Sequence, residues 1–113
     1  MEQRKHTRYR VDYAASFSGD GIRGYGLIFD LSSAGCRART NITVSKGKFV
    51  GALIDVTQYP TPLQVALAVV RWSHGQEFGL EFTRMEPNHQ QQLRELIQAT
   101  EAAMALPQDT ETQ

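Results

Sequence analysis

Two groups of polar residues have types and spacings suited to holding one anionic ligand. The first is Arg4-x-x-x-Arg8 near the N-terminus, with Lys5 inside it and Arg10 just beyond. In a helix or a compact turn, a four-residue spacing brings two guanidinium groups to one side. Each guanidinium is a rigid fork of five donors that matches phosphate oxygens and equally the O6/N7 edge of guanine. Lys5 adds positive potential without that fork. The second group is Asp30-Leu31-Ser32-Ser33-Ala34-Gly35. Asp and Ser compete with a β-ladder for backbone hydrogen bonds and Gly35 can take φ > 0, so the stretch is expected to leave its sheet as a tight turn. Such a turn presents a carboxylate, hydroxyls and backbone N–H groups to one ligand. Taken alone, a turn of this kind more often only reverses the chain.

Other chemistries find little support. Asp30 and Ser32 have no histidine nearby in sequence, and His6 approaches them only with the N-terminal arm. No set of nucleophile, base and oxyanion donors can be named, so a non-enzyme is expected. The single cysteine, Cys36, permits no internal disulfide, and with three scattered histidines it makes no metal-ligand spacing. No metal or cofactor is expected, and Cys36 reads as a small buried thiol in a strand.

The elements that must position these residues follow from hydropathy. Tyr9, Val11 and Tyr13 alternate with Arg10 and Asp12 in a strand running on to Phe17, and Ser18-Gly19-Asp20-Gly21 turns it. A second strand, Ile22 to Phe29, delivers Asp30 to its end. Cys36 to Thr40 is a third, with Arg37 and Arg39 on one face that either lines a groove or faces water. A loop through Gly47 precedes a strand over 49–56, and Pro60 and Pro62 break the chain again. Leu63 to Trp72 is a β-branched strand, turned at Ser73-His74-Gly75-Gln76, and Phe78 to Phe82 returns beside it. Six short strands separated by turn signals predict an antiparallel barrel. The one helix starts at Pro87, with Leu93, Leu96, Ile97, Thr100 and Met104 at 3.6-residue spacing. That stripe packs on the barrel or on a partner chain, a second copy of this one included. His89 and Met104 read as ordinary helix-surface and core residues.

With 113 residues, 41% hydrophobic and 21% charged, the chain has the size and composition of one soluble globular domain. Residues 1–8 read as a mobile arm, 9–106 as the folded unit, and 107–113 as a disordered tail with no large apolar side chain. No apolar run approaches the roughly 20 residues that span a bilayer, and the polar start lacks a signal-peptide core, which points to a cytoplasmic protein without membrane contact. The formal net charge of zero hides an asymmetry. Residues 4–48 hold nine Lys/Arg against three Asp, a local +6, while residues 49–113 hold three Arg against eight Asp/Glu, a local −5. A basic half on a neutral chain argues against duplex binding, which needs many phosphate contacts, and suits a small anion. Arg23, Lys46 and Lys48 read as solvated.

Neither polar group is persuasive by itself, but in this order, Arg4-x-x-x-Arg8 entering the first strand and Asp30-x-Ser32-x-x-Gly35 after the second, the chain resembles the PilZ domain family of bacterial cyclic di-GMP receptors. The resemblance extends from about Gln3 to Ile97 and includes Val70-Arg71-Trp72 and Phe78-Gly79-Leu80-Glu81-Phe82. It implies a mainly β fold, a six-stranded antiparallel β-barrel with a C-terminal α-helix. It also implies that Arg4 and Arg8 grip phosphate and guanine, that Asp30 accepts from guanine N1–H and N2–H₂, that Ser32 donates to phosphate or base, and that Gly35 permits close backbone approach. Trp72 either stacks on a base or is buried in the barrel. The expected mechanism is a switch without chemistry: ligand orders the arm beside Asp30–Gly35, and an effector protein or a second copy of the chain reads the new surface. Two other readings compete. One is a ligand-independent interaction module of the same shape; the other is a barrel binding single-stranded nucleic acid through Arg37, Arg39, Lys46 and Lys48, against which the zero net charge counts.

Overall fold

The computed structural model describes residues 7–105, with side chains as far as Ala103; Arg4, Lys5 and the rest of 1–6, the Met104 side chain and the 107–113 tail lie outside the described residues. Strands β1 (Tyr9–Gly19), β2 (Ile22–Leu31), β3 (Gly35–Thr40), β4 (Phe49–Ile54), β5 (Leu63–His74) and β6 (Glu77–Arg84) precede one helix, α1 (Pro87–Ala105). Every pairing is antiparallel, and the sheet closes in the order β1-β2-β3-β6-β5-β4. This is the six-stranded antiparallel barrel with a C-terminal helix that the sequence predicts. Closure removes free sheet edges, which a six-strand sheet would otherwise expose.

The turns follow local chemistry. Asp20 at φ 48° and Gly21 at φ 76° are both left-handed, the pairing that suits a two-residue hairpin to strand twist. The β5–β6 turn is shorter than expected: Ser73 and His74 still pair with Phe78 and Glu77, leaving Gly75 (φ 63°) and Gln76 to reverse the chain. Strand β4 stops at Ile54 rather than at Val56, although Val56 stays in the core and the Asp55 N–H still donates to the Ala14 carbonyl at 2.8 Å.

Inward residues of all six strands meet in one apolar cluster, among them Phe17, Ile28, Leu31, Cys36, Val50, Ile54, Val65, Val70, Phe78 and Leu80. Burying each large side chain contributes about 1.5–3 kcal/mol. Phe17 and Phe78 meet edge to face, centroids 5.3 Å apart, across the middle of the barrel. Leu93 and Leu96 carry α1 into this cluster, with Ile97 packed at its margin, so the predicted stripe faces the barrel at these three positions. Three polar contacts pin the helix. The Gln64 N–H donates to His89 Nδ1 at 3.0 Å, Tyr59 Oη–H to the Gln92 carbonyl at 3.0 Å, and Tyr9 Oη–H to Glu101 Oε2 at 2.6 Å. His89 therefore ties α1 to the start of β5 rather than standing free on the helix surface. Among the described residues no helix is long and apolar enough to cross a membrane.

Candidate functional site

The polar residues singled out in the sequence gather along one line across the barrel wall. Antiparallel register pairs Arg10 with Asp30, Asp30 with Arg37, Arg37 with Gly79, and Gly79 with Trp72. Directly paired residues share a face, so this line runs over the outer surface of five consecutive strands.

Asp30 reaches that surface through an irregularity. Side chains alternate along a strand, and Ile28 is wholly buried, so regular β2 would send Asp30 inward as well. The pairing with β3 instead shifts between Ile28 and Asp30, leaving Phe29 as an extra residue. Such a bulge re-aims the residues beyond it. Leu31 returns to the core, and Asp30 turns toward the arginines. The Phe29 ring lies beneath the guanidinium groups of Arg37 and Arg39, 5.9 and 5.1 Å from its centroid.

Although it belongs to the outer face, Asp30 is only 4% exposed. Two arginines cover it. Arg8 Nη1 donates to Oδ1 at 3.3 Å, while Arg37 donates to Oδ2 through Nε at 3.0 Å and also through Nη2. Only the carboxylate is buried, the arginines being 36% and 42% exposed, so removing an arginine, which leaves a buried charge less compensated, costs more than breaking an exposed pair. Flanking pairs on the same face, Arg39–Glu77 and Arg71–Glu81, are largely exposed.

The turn after β2 is shorter than the expected Asp30–Gly35, because Asp30 and Leu31 remain in β2 and Gly35 already opens β3. Only Ser32, Ser33 and Ala34 lie between the strands. The buried Ser32 hydroxyl accepts the Gly35 N–H at 3.1 Å and the Ala34 N–H at 3.2 Å and donates to the Gly35 carbonyl at 3.3 Å, while the Ser32 N–H donates to that carbonyl at 2.8 Å. These bonds shape the turn from within. Gly35 does not take the φ > 0 expected of it: its backbone is not among the left-handed residues. It is required by crowding, since a Cβ there would stand 2.2 Å from the Leu80 carbonyl oxygen of the facing strand β6.

Trp72 is not inside the barrel. It is 36% exposed and lies across Gly79, where a Cβ would come within 2.2 Å of the indole Nε1. Glycine leaves the space that lets the ring lie flat against the wall and keep one side open. Arg10 is exposed at the start of the line. Beside it an open cleft of about 500 Å³ is bounded by Arg8, Tyr9, Arg10, Gln58, Ala99 and Thr100, so the start of β1, the segment after β4 and α1 meet around one hollow. The Tyr9 hydroxyl holds its proton above the ordinary range, first because it donates to Glu101. Cys36, paired with Leu31, is buried, and burial pushes its thiol up to about 12, with the Asp30 charge adding to the effect.

The structure thus joins Arg8 to Asp30, aligns Arg10 and Trp72 with them on one outer face, sets Ser32 and Gly35 behind them as turn builders, and adds Arg37 and Phe29. Alternation from Gly35 does place Arg37 on the outer face, but nothing local marks it as the partner of Asp30. No sequence signal announces Phe29, since the bulge depends on how three strands register.

The PilZ domain family model matches residues 2–99. No curated protein matches the chain. Among solved structures, the PilZ domain of YcgR from Escherichia coli with c-di-GMP is 14% identical at a TM-score of 0.71, over 91% of this chain and 95% of that one. The full YcgR complex with c-di-GMP is 16% identical at a TM-score of 0.77, over 96% of this chain and 50% of that one. The Bacillus subtilis inhibitor of motility MotI is 17% identical at a TM-score of 0.70, over 96% of this chain and 54% of that one. The chain spans about half the length of MotI and of full YcgR.

Proposed function

The chain belongs to the PilZ domain family, and from that premise we propose that it is a non-catalytic receptor for cyclic di-GMP. The observation that carries this reading is the Asp30 carboxylate, buried on an outer face between two arginines, on a line that ends in a half-open indole. Solved YcgR structures holding c-di-GMP on the same fold support it.

Cyclic di-GMP offers two phosphates and two guanines. Asp30 accepts from guanine N1–H and N2–H₂, a donor pair that adenine lacks. Arg8, with Arg4, Lys5 and Arg10, takes phosphate oxygens and guanine O6/N7 through charge-assisted forks. Trp72 stacks on a base, a contact worth about 1–3 kcal/mol in single-strand binders. Ser32 and Gly35 serve by shape, holding the turn and the β3–β6 contact that set Asp30. Binding requires an exchange of partners, since Arg8 now rests on Asp30 and must release it to the guanine edge. That exchange draws the arm onto the barrel. Tyr9, between Arg8 and Arg10, is bonded to Glu101 of α1, so the movement reaches the helix end that an effector protein or a second copy of the chain meets.

A ligand-independent interaction module is the second reading. Its support is that the Asp30 oxygens and the Ser32 hydroxyl already have partners within the chain. Calorimetric titration with cyclic di-GMP, with GTP and cyclic di-AMP as controls, separates the two. Selective binding that disappears in Arg8→Ala upholds the receptor and its site. Absence of binding by the wild-type chain leaves the interaction module, and binding unaffected by Arg8→Ala and Asp30→Ala moves the site elsewhere.

A further inference from the structure

The two arginines on Asp30 are not equivalent, and the difference singles out a residue outside both sequence motifs. Arg8 approaches Oδ1 with one donor at 3.3 Å, from the first described residues of the chain. Arg37 approaches Oδ2 with two donors, Nε at 3.0 Å and Nη2, from the middle of β3. A carboxylate oxygen offers about two lone-pair sites, so among the described residues Oδ2 is filled by Arg37 while Oδ1 keeps one site open beside its single long bond.

Arg37 is also held where Arg8 is not. Its neighbours Cys36 and Ala38 are wholly inside the barrel, which fixes the outward direction of its side chain. Phe29, the bulged residue, supports its guanidinium from below. Along the line, its partner on β6 is Gly79, and the ring lying across that glycine belongs to Trp72.

We propose that Arg37 is a positioning and specificity residue of the cyclic di-GMP site: it locks the Asp30 carboxylate by Oδ2 so that Oδ1 faces the ligand as the acceptor for guanine N1–H and N2–H₂. The proposal rests on the receptor reading given above. Ligand arrival breaks the weaker Arg8 contact and leaves the Arg37 fork in place. Without Arg37 the carboxylate is free to rotate, and Arg8 closes on both oxygens as a bidentate partner, so the ligand must displace a stronger internal ion pair before guanine can be read. Arg39 provides a matched contrast, because it stands on the same face and over the same Phe29 ring but is paired to the half-exposed Glu77.

The test compares wild type, Arg37→Ala, Arg37→Lys and Arg39→Ala by calorimetric titration with cyclic di-GMP and with its hypoxanthine analogue, cyclic di-IMP, which lacks the N2 amine. Wild type binds the guanine ligand more tightly than the hypoxanthine one. Arg37→Ala loses about tenfold or more in cyclic di-GMP affinity, as expected for a contact that controls a two-donor pairing, and its preference between the two ligands collapses toward one. Arg37→Lys regains part of the affinity by charge but not the preference, since an ammonium lacks the fork. Arg39→Ala keeps both. A general electrostatic role would instead lower affinity for both ligands equally in Arg37→Ala and Arg39→Ala, and that result overturns the proposal, as does an Arg37→Ala variant with unchanged affinity and preference. Failure of the wild-type chain to bind cyclic di-GMP overturns the receptor reading itself, and this inference with it. Circular dichroism of each variant confirms that the barrel is intact.

Discussion

The barrel turns two very different outer faces to solvent. Across β1, β4 and β5 lies an open groove of about 440 Å³, floored by Ser16, Ser18, Gly51, Gln64 and Ala66, with Phe49 46% and Leu53 45% exposed beside it. From the start of β1 across β2 and β3 lies the line of Arg8, Asp30 and Arg37, where a carboxylate is withdrawn from water and held by two cations. Short side chains line the first face; a desolvated carboxylate between two part-exposed cations marks the second. A groove of small and apolar side chains costs the fold little and arises wherever strand residues are short. A buried carboxylate is expensive to maintain, and its arginines persist there only because several strands hold them. Both faces carry a hollow, so concentrated electrostatic cost, rather than volume, is what points to the proposed site.

The contrast can be broken from either side. The largest effect is expected for Asp30→Ala, which removes the acceptor for both guanine donors: about 2–3 kcal/mol of binding, roughly thirtyfold or more in cyclic di-GMP affinity by calorimetry, follows from losing a two-donor base contact. Far-ultraviolet circular dichroism should be unchanged, because Arg8 and Arg37 are partly exposed and swing into water. Gly35→Ala acts on the fold behind the site. Its Cβ meets the Leu80 carbonyl oxygen, a backbone atom that cannot yield without moving β6, so urea unfolding should show a loss of about 1–3 kcal/mol.

Cys36, buried behind the charged face, links folding to pH. Its folded thiol is raised from 9.0 to about 12, so the folded state retains a proton that the unfolded state loses. The stabilisation this provides is complete below pH 9 and disappears as pH rises toward about 12. Wild type should lose stability over that alkaline interval more steeply than Cys36→Ala, which separates the thiol from the raised tyrosines Tyr9 and Tyr59. Denaturant midpoints taken across the interval measure the difference, and equal slopes would show that the thiol is not linked to folding. The smallest effect is expected for Phe49→Ser on the apolar face. An exposed side chain outside the core should change stability by no more than about 0.5 kcal/mol and leave cyclic di-GMP affinity as it is. A loss of binding there would erase the distinction between the faces.

Much of this was legible in the chain itself. Period-two alternation from Tyr9 to Phe17, the Asp20-Gly21 pair, the proline break at Pro60 and Pro62, and the helical stripe through Leu93 and Leu96 are local signals, each depending on residues a few positions apart. They determine six strands, their turns and a helix that must bury one side, and with them the outward direction of Arg37 from Gly35. Tertiary structure decided what those signals leave open. Only closure of the barrel brings β3 beside β6, and only that pairing makes Gly35 necessary for crowding rather than for a left-handed backbone. Only the bulge at Phe29, a compromise among three registers, turns Asp30 away from the core that alternation with Ile28 would assign it. Hydropathy speaks for single strands, whereas a carboxylate's partners depend on which strands meet and in what register, and those are set by the packing of the whole barrel.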